Sequence, residues 1–319
     1  LVDLVRIRNG DVCYWPNLGY GRFGAKVTMD CSPWFDSIDQ FNQRHIRLAD
    51  IDGSGTTDII YLGRDGVRLY FNQSGNRWSK PRCLSQSPSV DNLSSVMVAD
   101  LLGNGTACLI WSSPLPNAAR CPLRYIDLMG RQKPYLLIKS ANNLGAETIV
   151  QYASSTKFYL ADKLAGKPWI TKIPFPVHVV ERVETYDRVS RNCFVTRYAY
   201  HHGYFDGIER EFRGFGMVEQ WDTESFAALS SSSAFPTGDN IDAASHVPPV
   251  YTKTWFHTGV YIDRNRISNF FAGLIGENDL GEYYREPAWR SNDAEVRKRL
   301  LEDTVLPDGL TVEEEREAC

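Results

Sequence analysis

The stretch Asp50-Ile51-Asp52-Gly53-Ser54-Gly55-Thr56-Thr57-Asp58 places oxygen-bearing side chains at its first, third, fifth and ninth positions and a glycine at its sixth. Hard cations such as Ca2+ take oxygen ligands at this spacing, and the glycine allows the sharp turn that gathers them. The candidate ligands are Asp50, Asp52, Ser54 and Asp58 through their side chains and Thr56 through its carbonyl. A helix-loop-helix calcium site is excluded. It needs a bidentate glutamate at position twelve, where this chain has Tyr61, and Ile59-Ile60-Tyr61-Leu62 has the β-branched, apolar character of a strand. The loop therefore reads as a turn between strands. Two chemistries stay open for it: a Ca2+ that pins the turn, or a metal-free turn whose aspartates cap backbone amides. Ser54 stands where a carboxylate is usual, leaving three charged ligands to tune affinity.

Other residues of the right type carry less. In the related stretch from Asp100, Leu102 and Cys108 replace ligands, so only Asp100 and Asn104 persist and no ion is expected. His201 and His202 are neighbours, and adjacent residues on a strand face opposite ways, so a structural role in a hairpin is expected of both. Glu209, Glu211 and Glu219 stand among Arg210 and Arg213 in alternating positions, which suits a solvated, charge-balanced sheet face better than a glycosidase pair. The chain has no Ser-His-Asp wording, no phosphate-cradling glycine loop and no HExxH. It is expected not to be an enzyme.

The elements that position these residues come from repetition. Residues 46–56 align with 96–106 at an offset of 50, and 12–17 align with 68–73 at an offset of 56. Short strands separated by Gly, Asn and Asp turns at a period of roughly 40–50 residues suit propeller blades. Within one unit the loop is followed by a strand from Asp58 to Leu62, a turn from Gly63 to Gly66, a strand from Val67 to Asn72 and a turn from Gln73 to Asn76. Beyond residue 120 the texture changes. Tyr135–Ser140, Glu147–Ala153, Val177–Tyr186, Phe194–Tyr200 and Glu209–Trp221 read as strands, while 154–156 and 165–168 read as connections, so a wound antiparallel sheet without intervening helices is expected. Residues 224–250, with four consecutive serines at 230–233, read as a flexible linker, and 251–271 return to aromatic and β-branched residues. Capping boxes at Asn292–Glu295 and Thr311–Glu314 predict two short C-terminal helices.

Totals bound the classes. With 319 residues the chain exceeds what one core accommodates, so two or three units are expected. An aromatic content of 12% leans towards β structure. A net charge of −4 without a basic run argues against a nucleic-acid partner. The seven cysteines are odd in number and contain no CxxC pair, neither a zinc pattern nor a disulfide framework. No apolar run reaches the ~18 residues of a membrane helix, so direct membrane insertion is not expected. Leu at position one and only about two blades' worth of repeats suggest a piece of a longer protein.

The motifs together resemble one family. Residues 4–10, Tyr14-Trp15-Pro16-Asn17, the Asp50 loop, Val98–Thr106, Tyr198–Gly207 and Arg213–Trp221 are similar to the middle region of the B component of Tc insecticidal toxin complexes, shared with SpvB-type virulence proteins. The resemblance implies a mainly β fold: a partial β-propeller of FG-GAP-like blades over residues 1–120, RHS-like β-shell strands over 121–223, the linker 224–250, and a mixed segment over 251–319 with short helices. It implies a scaffold without catalytic activity, in a secreted toxin complex with a cytoplasmic stage before release. Such a scaffold docks on a pore-forming A component and, with a cargo-carrying C component, encloses a toxic cargo. The rival readings are an FG-GAP-like adhesion or glycan-binding propeller and a propeller glycan hydrolase or lyase.

Overall fold

The computed structural model describes residues 2–84, 87, 93–222, 234–242, 244, 247–262, 264 and 305–319. It divides into two compact units, Leu1–Leu137 and Ile138–Cys319.

The first unit opens with β1 (Leu4–Arg8) and β2 (Asp11–Trp15), continues through a two-stranded ribbon of β3 (Asn17–Gly19) and β4 (Arg22–Phe23), and returns with β5 (Val27–Thr28) to pair with β2. A second sheet follows the same course with one strand more. It consists of β6 (Ile46–Ala49), β7 (Asp58–Gly63) and β8 (Gly66–Tyr70), then a ribbon of β9 (Asn72–Gln73) and β10 (Arg77–Trp78), then β11 (Arg82–Leu84), in the order β11-β8-β7-β6. The third sheet is β12 (Ser95–Ala99), β13 (Cys108–Ser112) and β14 (Leu123–Asp127). All neighbours in these sheets are antiparallel.

Side chains alternate along a strand, and β7 uses both of its faces. Ile59 and Tyr61 enter one core with Val12, Met29, Phe35, Tyr70 and Trp78, while Ile60 and Leu62 enter another with Leu69, Val96, Leu109 and Trp111. The second sheet is therefore packed between the first and the third. Each fully buried aliphatic side chain contributes roughly 1.5–3 kcal/mol of transfer free energy, which explains an unbroken apolar run in an antiparallel strand. The unit ends at 137/138 and not at the expected 120/121, because β14 pairs along its whole length with β13.

The second unit is one six-stranded antiparallel sheet in sequence order: β15 (Lys139–Ala141), β16 (Ala146–Ser154), β17 (His178–Asp187), β18 (Asn192–Asp206), β19 (Glu211–Trp221) and β20 (Tyr251–Trp255). Contrary to expectation, a helix interrupts it: α1 (Ser155–Leu164) joins β16 to β17. The Ser154 hydroxyl caps it by accepting from Thr156 N at 3.3 Å, and Gly166, at φ +77, follows its end. Its Phe158 packs with Trp169 and Val179 on the sheet. The strand expected from Tyr135 shrinks to Lys139–Ala141, since Tyr135 is left-handed at φ +64.

Part of the expected linker is ordered. The Asn240 side chain spans Cys193, accepting from its N at 2.7 Å and donating to its O at 2.8 Å, and Phe235 stacks on Tyr186 at 5.4 Å. Ala234 N donates at 2.9 Å to Glu184, a fully buried carboxylate that also holds Arg182. Sheet contacts supply the burial that the segment's own composition lacks. Residues 224–233, including the four serines, and the helix expected from Asn292 lie outside the described residues. The second capping box forms as expected: Thr311 and Glu314 open α2 (Val312–Ala318). Among the described residues no helix is long and apolar enough to cross a membrane.

Candidate functional site

The Asp50 loop links β6 to β7, and Gly53 and Gly55 take φ values of +70 and +85 that other residues adopt only with strain. The turn brings Asp50, Asp52 and Asp58 together, with one carboxylate oxygen of each within 4.8 Å of the others. All six oxygens accept a hydrogen bond. Asp50 takes Ser54 N at 3.0 Å and Gly55 N at 2.9 Å, and Asp52 takes Ser54 N at 3.0 Å and the Tyr135 hydroxyl at 3.0 Å. Asp58 takes Ile51 N at 3.0 Å and Asn72 N at 2.8 Å. The Ser54 hydroxyl instead bonds to that of Thr56 at 2.9 Å, and the Thr56 hydroxyl donates to Asn72 O at 3.3 Å. These donors are backbone amides and one phenol, so no side-chain cation offsets the three converging charges through them. Burial, opposed by the two amides and reinforced by Asp52 and Asp50, pushes the Asp58 carboxyl up to about 6. Each oxygen keeps a second lone pair, so the arrangement serves both as an amide-capping turn and as a cradle for a divalent cation.

The Asp100 loop repeats the clamp without the cluster. Asn104 N and Gly105 N donate to Asp100 at 3.0 and 2.7 Å, as their counterparts do to Asp50, but Cys108 occupies the place of Asp58. A repeat of a different contact, the one between Asp58 and Asn72, was not evident from sequence. Asp3 and Asn17 stand 55 positions before Asp58 and Asn72. Asn17 N donates to Asp3 at 2.8 Å and the Asn17 amide donates to Val2 O at 3.0 Å; Asn72 N donates to Asp58 at 2.8 Å and the Asn72 amide to Thr57 O at 3.1 Å. The true period of this echo is 55 and not the expected 56. The signal available was an Asp at the start of the strand or just ahead of it, fourteen residues ahead of an Asn in both copies.

In the second unit the histidines and one glutamate meet. His201 on β18 places Nδ1 2.6 Å from Asp162 of α1 and Nε2 3.4 Å from Glu219 of β19. Trp169 Nε1 donates to the same Asp162 oxygen at 2.6 Å, while Lys253 and the Tyr251 hydroxyl of β20 reach Glu219. Burial pulls the His201 imidazole down, but hydrogen bonds to Asp162 and Glu219 and their charges outweigh it and hold it at about 9. Burial raises Glu219, and His201, Tyr251 and Lys253 bring it down to about 2. His202, left-handed at φ +55, accepts from Ile170 N at 3.2 Å; burial and then the charge of His201 lower it to about 4. The two rings serve different partners, as expected. Glu219 is not on a solvated face, whereas Glu211 is exposed beside Arg213 at 3.1 Å. Asp162 was missed because it lies on the helix that was missed.

The family model for the insecticide toxin TcdB middle/N-terminal region matches residues 72–259. Solved structures agree. The chain is 34% identical to a chain of the crystal structure of TcdB2-TccC3-Cdc42, with a TM-score of 0.70 over 84% of its own length and 12% of that chain. The chain belongs to the TcdB middle-region family. It is also 34% identical, with a TM-score of 0.69, to a chain of the Photorhabdus luminescens Tc holotoxin pore, covering 85% of itself and 12% of that chain. TcdB2-TccC3 without its hypervariable C-terminal region matches at 33% identity and a TM-score of 0.69 over 85% and 12%. No curated protein matches significantly. This TcdB middle-region chain thus spans about an eighth of the solved chains it resembles, and its Asp50 loop lies just ahead of the segment that the family model covers.

Proposed function

We propose that this chain is a non-enzymatic scaffold segment of the B component of a Tc-type toxin complex. It acts with a pore-forming A component and a cargo-carrying C component to enclose and deliver a toxic protein from a secreted complex. The observation that carries this reading is the match, at 34% identity and a TM-score of 0.70, to a chain of a TcdB2-TccC3 complex. The three stacked sheets serve as blades of a partial propeller on the docking side, and the six-stranded sheet as RHS-like wall of the enclosing shell. The blade turn at Asp50 takes Ca2+ through Asp50, Asp52 and Asp58, whose charges converge without a cationic side chain among their hydrogen-bond donors. The second unit's network serves to fix α1 on the wall. Co-expression of the full protein that carries this chain with a TccC-type protein should give one co-eluting complex in size-exclusion chromatography. Separate elution of the two overturns the scaffold reading.

A further inference from the structure

A cavity of about 700 Å3 lies in the first unit between the Asp50 loop, the β9–β10 ribbon and the segment that follows β14. Pockets of this size enclose a small ligand or a few residues of a peptide. The wall after β14 is bent by three left-handed residues, Gly130, Arg131 and Tyr135, at φ +63, +64 and +64. Two of them carry side chains, which makes that backbone strained. Tyr135 is held in place by its hydroxyl on Asp52, yet the residue is 79% exposed, so the strain serves no core. What it does is curve the wall around the cavity and lay the Lys133 side chain against Gly53.

The polar side chains around the cavity fall into two groups. Asp52, Ser54, Thr56, Asn72 and Ser79 are bonded within the protein. The side chains of Gln73, Ser74, Arg82 and Lys133 have no hydrogen bond or ion pair among the described residues. Arg82 instead places its guanidinium over the Phe71 ring, 5.1 Å from the centroid. Two cations thus line one cavity with no carboxylate bonded to either. Asp52, the one acid among the described residues of the lining, is 6% exposed, and both its oxygens are engaged by Ser54 N and the Tyr135 hydroxyl. The fold does not require this polarity. In the repeat 55 positions earlier, Val27 pairs with Tyr14 as Arg82 pairs with Leu69, and Leu18 stands for Gln73.

We propose that this cavity binds an acidic peptide segment of a partner protein. Its carboxylates accept from the Arg82 guanidinium and the Lys133 ammonium, and an aliphatic side chain beside them packs against Met129, Pro134 and Leu136. Gln73 and Ser74, each able to donate and to accept, serve the peptide backbone. An acidic sugar is matched less well, because the alkyl walls give it no ring to stack on and the Phe71 ring already carries Arg82.

Fluorescence anisotropy of a labelled Leu-Glu-Leu-Asp peptide with the full protein that carries this chain tests the proposal. The analogue with Gln and Asn in place of the acids should bind at least about tenfold more weakly, as should the one with Ser in place of Leu. Raising salt from about 50 to about 500 mM should weaken the acidic peptide by a similar factor. Arg82→Gln and Lys133→Gln should each cost about tenfold in Kd, whereas Lys80→Gln, which removes an exposed cation outside the cavity, should leave it unchanged. Equal binding of the acid and amide peptides overturns the proposal without any variant. So does an equal loss in Lys80→Gln and Arg82→Gln, which leaves only general surface attraction. Trigalacturonate binding as tightly as the peptide assigns the cavity to an acidic sugar and overturns the proposal too. None of these outcomes bears on co-elution with the TccC-type protein, so the peptide site and the scaffold reading fail separately.

Discussion

Both units gather carboxylates that are at least partly withdrawn from water, and they balance them differently. In the second unit Asp162 and Glu219 close on the imidazole of His201, a cation supplied by the chain itself. In the first unit Asp50, Asp52 and Asp58 meet, and the groups that hold them are backbone amides and one tyrosine hydroxyl. A network with a hydrogen-bonded counter-charge is complete when folded; one held by neutral donors, with Lys133 lying only against its Gly53, remains responsive to the ions around it. The difference follows from how each is assembled. The loop is a local repeat within nine residues, whereas the His201 network joins a helix and three strands drawn from positions 162 to 253.

The most damaging way to break the comparison is to remove the internal cation. His201→Ala should leave Asp162 with Trp169 and Glu219 with Tyr251 and Lys253 but without the cation between them, and destabilise the second unit by about 1–3 kcal/mol, measured by urea unfolding followed through exchange of β18 amides. His201→Gln, which can still donate to one of them, should cost less. If the two variants are equal and near wild type, the network is not a structural tie.

Acidity separates the units next. The folded-state value of His201 lies above its ordinary one, so its stabilisation is complete below about 6.5 and fades as pH rises through about 9. Glu219 and His202 are lowered, so their contributions hold above their ordinary values and fade as pH falls towards about 2 and through about 4. Asp58 is raised, so its contribution is present below 3.8 and lost as pH rises through about 6. In calcium-free buffer the protection factors of the Ser54 and Gly55 amides, corrected for the base-catalysed rise of intrinsic exchange, should therefore fall from pH 5 to pH 7, while those of α1 fall only towards pH 9. A common pH profile for both units contradicts the contrast.

Supplying a divalent cation should sharpen it. Saturating Ca2+ at about a hundred times Kd stabilises by about 2.7 kcal/mol, and the gain should appear in the first unit, vanish with EDTA and be absent in Asp52→Ala. An unchanged melting curve with and without EDTA refutes the ion. The smallest effect concerns the clamp alone: Asn72→Ala should cost about 1 kcal/mol whether or not Ca2+ is present, because its bonds to Gly75 N and Thr57 O stand apart from the carboxylate cluster.

What the sequence made legible has the same origin as the contrast. The strands at 58–62 and 67–72, the Asp50 loop and its Asp100 copy announce themselves through glycines and aspartates that act on their immediate neighbours. Helix α1 did not, although Ser154 before it and Gly166 after it are ordinary cap residues, because its apolar side is only Phe158 and partly buried neighbours. Tyr135 looked like a strand residue, and its hydroxyl is instead committed to Asp52 across 83 positions. Segment 234–241 brings only Phe235 and Ile241 to a core, and it is ordered by the sheet it covers. Contacts of that range leave no local pattern to read.

The Asp-Asn clamp has a further consequence. It ties the first residue of one strand to the ribbon that follows the next, and it involves no residue of a neighbouring sheet. A cut just ahead of Val2 or Thr57 therefore falls at equivalent joints and leaves both clamps whole. Duplication or deletion in steps of this period would keep each clamp closed, although it would part β6 from β7 and divide the Asp50 loop.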